Sequence, residues 1–299
     1  MIVLVLQFLA TAAVWGASFL FMKVGLEGLS FVQVVLARLV LGAATLLILL
    51  RPMHVRLPRR GVVWLHSTFL AVVQCILPWL LFAWAEQEID SATASIVNAT
   101  TPLMTTVLAF AVLPAERPTL LRAAGLLIGF AGIVVVFAPW ESGLSGSPRA
   151  QLACLGATAS YGVALVYLRR FVIPLGVPSL AVATMQIGLA AMMMLVAAPV
   201  VASDAVRLDV PVVASMLALG CAGTGLAFLW NTNVVTGWGP SAASTVTYLS
   251  PVVGIALGAL VLDESVTANA VLGTALIIVG VVVTTRRRAA SVAAPPVTR

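Results

Sequence analysis

The most regular feature of the chain is a succession of long apolar segments separated by short polar connections. Each segment approaches the roughly 20 apolar residues that an α-helix needs to cross the hydrocarbon core of a bilayer. Ten are predicted: Ile2–Val24, Phe31–Leu50, Gly61–Ala85, Ser91–Leu113, Leu120–Ala138, Ala150–Leu168, Ser179–Val201, Val212–Val235, Ala242–Leu262 and Ala268–Thr285. The pattern therefore predicts an all-α integral membrane protein with ten transmembrane helices.

An arrangement of proline, acidic and glycine residues occurs twice along this succession. The first copy contains Pro102, Glu116, Gly125 and Gly132, and the second contains Pro251, Glu264, Gly273 and Gly280. From the acid onward the copies stay 148 residues apart. Five helices per half is an odd number, so the second half would enter the membrane from the opposite face, as in inverted-repeat transporters. We expect one five-helix repeat over residues 1–140, a second over 149–285, and a disordered basic tail over 286–299.

The composition and the placement of charges support a membrane protein. Of the 299 residues, 62% are hydrophobic and 9% are charged, whereas a soluble domain is usually about a quarter charged. The 16 basic residues lie mainly between the apolar segments, so the net charge of +6 does not indicate nucleic-acid binding. Twelve of the sixteen would be cytoplasmic if the N-terminus is, and the positive-inside rule therefore predicts that both termini are cytoplasmic.

Several motifs occur in a fixed order along the chain: Trp15-Gly16-Ala17-Ser18-Phe19 followed by Lys23, then Ala37-Arg38, then both copies of the proline–acid–glycine run. Together they resemble the EamA-type drug/metabolite transporter superfamily, and most closely its bacterial amino-acid exporters. The resemblance covers essentially the whole chain. It implies a multi-pass carrier of the bacterial inner membrane that exports small metabolites by alternating access. In inverted-repeat carriers the substrate usually binds near the midplane between the halves.

Polar and aromatic residues inside the predicted spans are the candidates for substrate binding, because polar groups in a bilayer are costly. The candidates are Trp15, Ser18, Arg38, Trp79, Asn98, Thr101, Tyr161, Trp230, Asn231 and Tyr248. Arg38 would either bind a substrate carboxylate or bond backbone carbonyls, and the structural role is slightly favoured. The amides and hydroxyls would either line a cavity or join helices. The aromatic residues would form a cavity wall or anchor the helices at the interface.

Other residues are candidates for coupling and motion. His66 is the only obvious titratable group within a span, so it is the candidate for proton coupling. Helix bends are predicted at Pro78, Pro102, Gly223, Gly225 and Pro251, either as hinges or as static kinks.

Three charged residues near span ends are expected to have structural roles. Lys23 is predicted to extend its amine towards the outer interface. Glu116 and Glu264 each precede the last helix of a half, where an acid stabilises a helix N-terminus.

The sequence lacks the motifs of several other protein classes. It has no GxxxxGK[ST] phosphate-binding loop, and its two histidines make a catalytic triad or a histidine metal cluster implausible. No carboxylate lies clearly inside a span, since Glu86 is at an outer edge. A carrier of cationic drugs would need such a carboxylate to balance the charge of its cargo. We therefore expect no enzymatic activity, cofactor or metal.

The prediction is a monomeric carrier of small neutral or zwitterionic metabolites, first of all amino acids, including apolar and aromatic ones. Transport would be facilitative or loosely coupled. The alternatives are an exporter of drugs or other metabolites with the same fold, a membrane-embedded enzyme, and a structural membrane protein without a cavity. A wide and acidic cavity would favour drug export, and a nucleophile beside a base would favour an enzyme.

Overall fold

The chain folds into a bundle of helices, and its long helices match the predicted spans. The computed structural model describes residues 2–112, 119–137, 147–238 and 246–285, without the side chains of 235–238, 247, 248 and 285. The helices are α1 (Ile2–Gly25), α2 (Phe31–Leu50), α3 (Gly61–Ala85), α4 (Ser91–Val112), α5 (Leu120–Phe137), α6 (Pro148–Leu175), α7 (Ser179–Val201), α8 (Val210–Leu217, Ala218–Leu226 and Ala227–Trp238), α9 (Val246–Val261) and α10 (Ala268–Thr285). These described ranges contain no β-strand.

Helices α1 to α8 are each long and apolar enough to cross a membrane, and α9 and α10 are shorter apolar helices. Helix α9 begins directly after residues 239–245, which are outside the described part. Helix α6 reaches Leu175, seven residues beyond the predicted end, because it continues through a π-helical turn and a 3₁₀ turn. Glu116 and the predicted tail 286–299 also lie outside the described residues.

Hydrogen bonds between helix ends define two faces of the bundle. The near face is where α1 begins; it also holds the end of α4 and of α6, where Arg170 donates to the carbonyl of Val112 at 2.9 Å. The far face is where α1 ends. There Gln33, at the start of α2, donates to the carbonyls of Ala202 and Asp204 after α7, at 3.0 and 2.8 Å. Consecutive helices therefore alternate in direction.

The neighbours of each helix follow a twofold pattern. Helix α1 packs on α8 and α9, and its counterpart α6 packs on α3 and α4. Likewise α2 packs on α8, α7 packs on α3, and α5 packs on α10. If each helix is replaced by its counterpart five helices away in the chain, so that α1 is exchanged with α6 and α2 with α7, the same list of contacts results. Two inverted five-helix repeats would give such a pattern.

The repeated glycines let α5 and α10 pack with their backbones in contact. A Cβ atom added to Gly280 would lie 2.4 Å from the amide nitrogen of Gly129, and one added to Gly132 would lie 2.8 Å from the carbonyl oxygen of Gly273. Small residues at a helix interface permit this close approach. These glycines of the repeat therefore serve helix packing at the edge of the bundle.

Helices α3 and α8 contain π-helical segments at corresponding depths, over Ala71–Ile76 and Ala218–Leu226. Such a segment disturbs the regular backbone ladder, and side chains from other helices can bond the freed groups. The Ser160 hydroxyl of α6 donates to the carbonyl of Val73 at 2.7 Å, and the Trp15 indole of α1 donates to that of Gly223 at 3.1 Å. The first helix of each half thus bonds the irregular helix of the other half.

Candidate functional site

A central cavity of about 240 Å³ lies between the two halves. It is lined by helices of both halves, which contribute Trp15, Ser18, Phe19, Arg38, Gln74, Trp79, Asn98, Thr101, Tyr161, Gly223, Phe228 and Ser250. Seven of the ten predicted substrate-binding residues meet here: Trp15, Ser18, Arg38, Trp79, Asn98, Thr101 and Tyr161. The fold therefore brings together side chains that are far apart along the chain.

A second cavity, the near-face cavity, adjoins the central one and has a volume of about 610 Å³. The two share Trp15, Gln74, Thr101, Leu165 and Phe228, so they are continuous. The near-face cavity is lined by the near-face half of α4, by the near-face end of α6 and by Val177 between α6 and α7. Its volume falls within the roughly 300–1,000 Å³ of small-molecule sites.

Arg38 is the charged group of the central cavity. Its Nε donates to the Thr224 hydroxyl at 3.1 Å, and its guanidinium carbon lies 3.8 Å from the centre of a Trp79 ring. Stacking on Trp79 holds the guanidinium plane by a cation–π contact. No carboxylate lies within ion-pair distance of Arg38 in the described ranges. Helix contacts thus fix the side chain, but its charge has no protein counterion there.

Aromatic rings form much of the cavity wall. Trp15 and Phe228 meet edge to face with centroids 6.3 Å apart, and Phe82 lies 6.3 Å from Tyr161 and 5.4 Å from Phe19. The interaction between two such rings stabilises their arrangement in addition to the free energy gained from burying their apolar area. The walls offer apolar surface beside a few polar groups, which is the usual composition of a small-molecule site.

The electrostatics of the cavities are one-sided. Among the described residues lining either cavity, Arg38 is charged and none is Asp or Glu. A cationic cargo would meet a like charge without a carboxylate to balance it. The arrangement suits a ligand that carries a negative group or is neutral overall.

Two glutamines in the cavities were not among the predicted residues. Gln74 lines both cavities and Gln186, which is 3% exposed, lines the near-face cavity. The side-chain carbonyl oxygen of each is buried without a hydrogen-bond partner. Both lie inside predicted spans, so the cost of polar groups in a bilayer could have identified them. Phe228 and Ser250 were missed as well; as ordinary apolar or small residues of spans they gave no signal.

The remaining predicted residues lie in different places. Asn231 lines the near-face cavity, but Trp230 lines neither cavity, and Phe228, two residues earlier, occupies the wall instead. The side chain of Tyr248 lies outside the described part.

The predicted helix bends have differing surroundings. Helix α4 is interrupted between Asn98 and Thr101, whose hydroxyl donates to the Asn98 carbonyl at 2.7 Å, and Pro102 of the same helix lines the near-face cavity. Gly223 lies in the π-helical segment of α8 and lines the central cavity. Gly225 instead permits close packing, because a Cβ there would lie 2.3 Å from the Thr45 side chain. Pro78 follows the π-helical segment of α3, and Pro251 lies within α9.

His66 lines neither cavity. Its Nδ1 is hydrogen-bonded to the Tyr167 hydroxyl at 2.7 Å, and its ring stacks on Phe171 with centroids 6.0 Å apart. These contacts place it on the near-face half of the α3–α6 interface.

Charged side chains join the helix ends at the far face. Lys23 of α1 donates to the backbone carbonyls of Glu86 and, at 2.8 Å, Ile89. Its amine therefore extends towards the far-face connection after α3, in the predicted direction, and is held there by the protein. Glu264 accepts from the amides of Ser91 and Ala92 at 2.8 and 3.0 Å. It therefore stabilises a helix N-terminus as predicted, but that of α4 in the other half and not that of α10.

Two continuous cavities between structurally matched halves, beside a far face joined by hydrogen bonds between helix ends, fit the architecture of a membrane carrier. The EamA-like transporter family matches residues 2–138 and 148–286. The chain belongs to this family and to the drug/metabolite transporter superfamily, as its motifs predicted. It is thus a multi-pass transporter of the bacterial inner membrane and not an enzyme.

Relatives support this assignment. The chain is 27% identical over 252 residues to the "Uncharacterized inner membrane transporter YedA" of Escherichia coli K12, covering 82% of this chain and 78% of that protein. It is 24% identical over 285 residues to the "Uncharacterized transporter YoaV" of Bacillus subtilis, covering 94% and 96%. A "Probable terminal-alkyne amino-acid exporter" of Streptantibioticus cattleyicolor is 29% identical over 130 residues, 42% of each chain.

The same fold occurs in a solved structure. A chain titled "Crystal structure of protein" superposes with a TM-score of 0.65 at 20% sequence identity, covering 94% of this chain and 96% of the other. At this identity the similarity shows the fold alone.

Proposed function

We propose that this transporter exports small zwitterionic or neutral metabolites, most of all amino acids with apolar or aromatic side chains, by alternating access through the central cavity. The observation that carries the proposal is the guanidinium of Arg38, which has no counterion and is the charged group among the described residues of an aromatic-walled cavity. A guanidinium binds a carboxylate in a two-pronged geometry that a lysine amine does not reproduce. Export as the direction is supported by the name of one relative, which covers less than half of the chain.

The other end of an amino acid also has candidate partners. The unpartnered amide oxygens of Gln74 and Gln186 can accept hydrogen bonds from an ammonium group. Trp15 and Phe228, which line both cavities, offer apolar surface for a side chain. The absence of an acid among the described lining residues argues against organic cations, the usual cargo of multidrug exporters.

The proposed cycle follows from the two faces. The near-face cavity extends from the central cavity to residues at the near-face end of α6, and the charge distribution predicts the near face to be cytoplasmic. Substrate would enter there and bind against Arg38. Opening of the far face, with loss of its hydrogen bonds, would then release the substrate to the outside.

The test is uptake into proteoliposomes of a labelled amino-acid panel, with empty vesicles as control. We expect saturable uptake of leucine or phenylalanine and at least 10-fold weaker uptake of the corresponding carboxamides, which lack the negative charge. Uptake of the amino acid by Arg38→Gln should be about 10- to 100-fold weaker than by the wild type, as expected for losing a charged hydrogen bond of about 1.5–3 kcal/mol. The preference for the amino acid over its carboxamide should disappear in this variant.

Arg149→Gln is the matched control, since Arg149 is exposed at the start of α6. Its preference for the carboxylate should equal that of the wild type. Preferred uptake of organic cations, or a carboxylate preference that persists in Arg38→Gln, would overturn the proposal.

A further inference from the structure

The far face contains a buried acid that the transport pathway described above does not use. Glu86 is the first residue after α3, is 0% exposed, and neither of its carboxylate oxygens has a hydrogen-bond partner. Leaving an ionised carboxylate buried without partners is among the most costly arrangements in a protein. A buried acid avoids much of this cost by binding a proton.

The nearest cation does not neutralise Glu86 directly. Lys23 uses its amine to donate to the backbone carbonyls of Glu86 and Ile89, and no ion pair joins it to the Glu86 carboxylate. The charge of Glu264 is likewise engaged, because both of its oxygens accept from backbone amides at the start of α4. The Lys23 amine and the Glu264 carboxylate are thus both hydrogen-bonded to backbone groups and not to the carboxyl group of Glu86.

Titratable groups on each neighbouring element act on Glu86. Lys23 on α1 and Arg38 on α2 favour its charged form, Glu264 between α9 and α10 disfavours it, and the thiol of Cys154 on α6 lies close enough to sense its charge. Burial outweighs the two cations and raises the pKa of Glu86 well above its ordinary value. Asp90, an exposed residue at the start of α4, also has a raised pKa, because the surrounding protein partly desolvates it and Glu264 lies near it.

We propose that Glu86 is a proton-binding site that is occupied while the far face is closed and emptied when the far face opens. The proposal rests on the alternating access proposed above. On opening, water reaches the carboxyl group, the O–H bond breaks, the proton passes to water at the far face, and the carboxylate remains hydrated. Closing reverses the step.

The direction of the pH effect follows from proton counting. The closed conformation binds one proton more than the open one, so lowering the pH stabilises the closed far face. Raising the pH through the pKa of Glu86 in the closed state favours opening. The sequence concealed this site, because Glu86 falls at the edge of a span, where an acid is ordinarily hydrated.

The first test observes the proton directly. Infrared spectra of the full protein in lipid nanodiscs are recorded from mildly acidic to strongly alkaline pH, and the strongly alkaline spectrum is subtracted from each. The difference spectrum at neutral pH should contain the C=O stretch of a protonated carboxylic acid. Glu86→Gln should lose this band, and Glu88→Gln should keep it, since Glu88 is an exposed acid of the same connection. A band missing from the wild type, or unchanged in Glu86→Gln, would overturn the proposal.

The second test observes the gate. Ser91→Cys, with the three native cysteines replaced by alanine, places a thiol at a position that is 1% exposed and whose hydroxyl has no partner. The rate at which a water-soluble reagent modifies this thiol is divided by the rate for unfolded protein at the same pH, which corrects for the pH dependence of the thiol itself. The corrected rate should rise with pH. Glu86→Gln, which mimics the protonated acid, should hold the rate at the low wild-type value of acidic pH.

A different result would follow if Glu86 were ionised and paired with Lys23. Removing its charge would then leave the lysine unpaired and raise the modification rate at every pH, contrary to the proposal. Neither test requires a transported substrate. A failure of amino-acid uptake would therefore leave the proton site testable, and a failure here would leave the uptake result intact.

Discussion

Lys23 offers a direct test of how the far face is held closed. Its amine spans from α1 to the connection between α3 and α4, where it bonds two backbone carbonyls. Lys23→Met keeps much of the chain length and apolar volume but removes both bonds. If α1 and this connection separate when the far face opens, the bonds stabilise only the closed conformation.

The size of the effect can be worked from these two bonds. A hydrogen bond to a charged group is worth about 1.5–3 kcal/mol net. Lys23 is only partly buried, so solvent weakens the interaction and we take about 2–3 kcal/mol for both bonds together. Since about 1.4 kcal/mol is a factor of ten, the population with an open far face should rise about 30- to 140-fold.

The assay is the modification rate of the Ser91→Cys reporter at one fixed pH. Arg207→Ala is the control, because Arg207 also bonds a backbone carbonyl across the far face, that of Glu27 at 3.2 Å, but is exposed. An exposed bond of this kind contributes little. If Lys23→Met raised the rate no more than Arg207→Ala does, the far face would not depend on Lys23.

Three further predictions concern stability, measured by thermal or denaturant unfolding of the purified protein. Ser160→Ala should lower the free energy of unfolding by about 1–3 kcal/mol, because it leaves a backbone carbonyl of α3 without its donor; Ser67→Ala should be neutral or stabilising, since that buried hydroxyl has no partner. Gly280→Ala should force α5 and α10 apart and destabilise the protein, whereas Gly188→Ala, with nothing within 4 Å of the new Cβ, should not. Glu264→Ala should lose about 1.5–3 kcal/mol by removing two acceptors from the N-terminus of α4; a loss no larger than that of an exposed acid would contradict the role of this bridge.

Much of the fold could be predicted because the bilayer imposes its dimensions on the chain. Helix length, apolar composition and short polar connections are local properties, so the bounds of α2, α3 and α7 are as predicted. The repeat and the family motifs also identified a transporter. Seven of the candidate residues were found in the central cavity, because polar groups within spans tend to face the interior of the bundle.

The tertiary structure decided features that depend on contacts between distant segments. The π-helical segments of α3 and α8 require donors from Ser160 and Trp15 on other helices, and nothing in their own sequences indicates those partners. Phe228 lines the cavities and Trp230 does not. Two residues apart on a helix, their side chains point about 200° apart, so the packing of α8 decides which of them meets the cavity.

The surroundings of the charged residues are the feature for which the prediction from sequence and the structure differ most, and one physical reason explains this. The energy of a charge depends on its surroundings, which the sequence specifies only through the complete fold. Position along a span placed Glu86 at an outer edge and Lys23 towards the outer interface, but only the packing of the helices shows that the acid is buried and that the amine bonds backbone carbonyls. The sequence by itself determined that this chain crosses the membrane as a transporter with a repeated architecture. Only the packing of its helices decided which groups join the helix ends at the far face, and that Arg38 stands in the cavity without a counterion among the described residues.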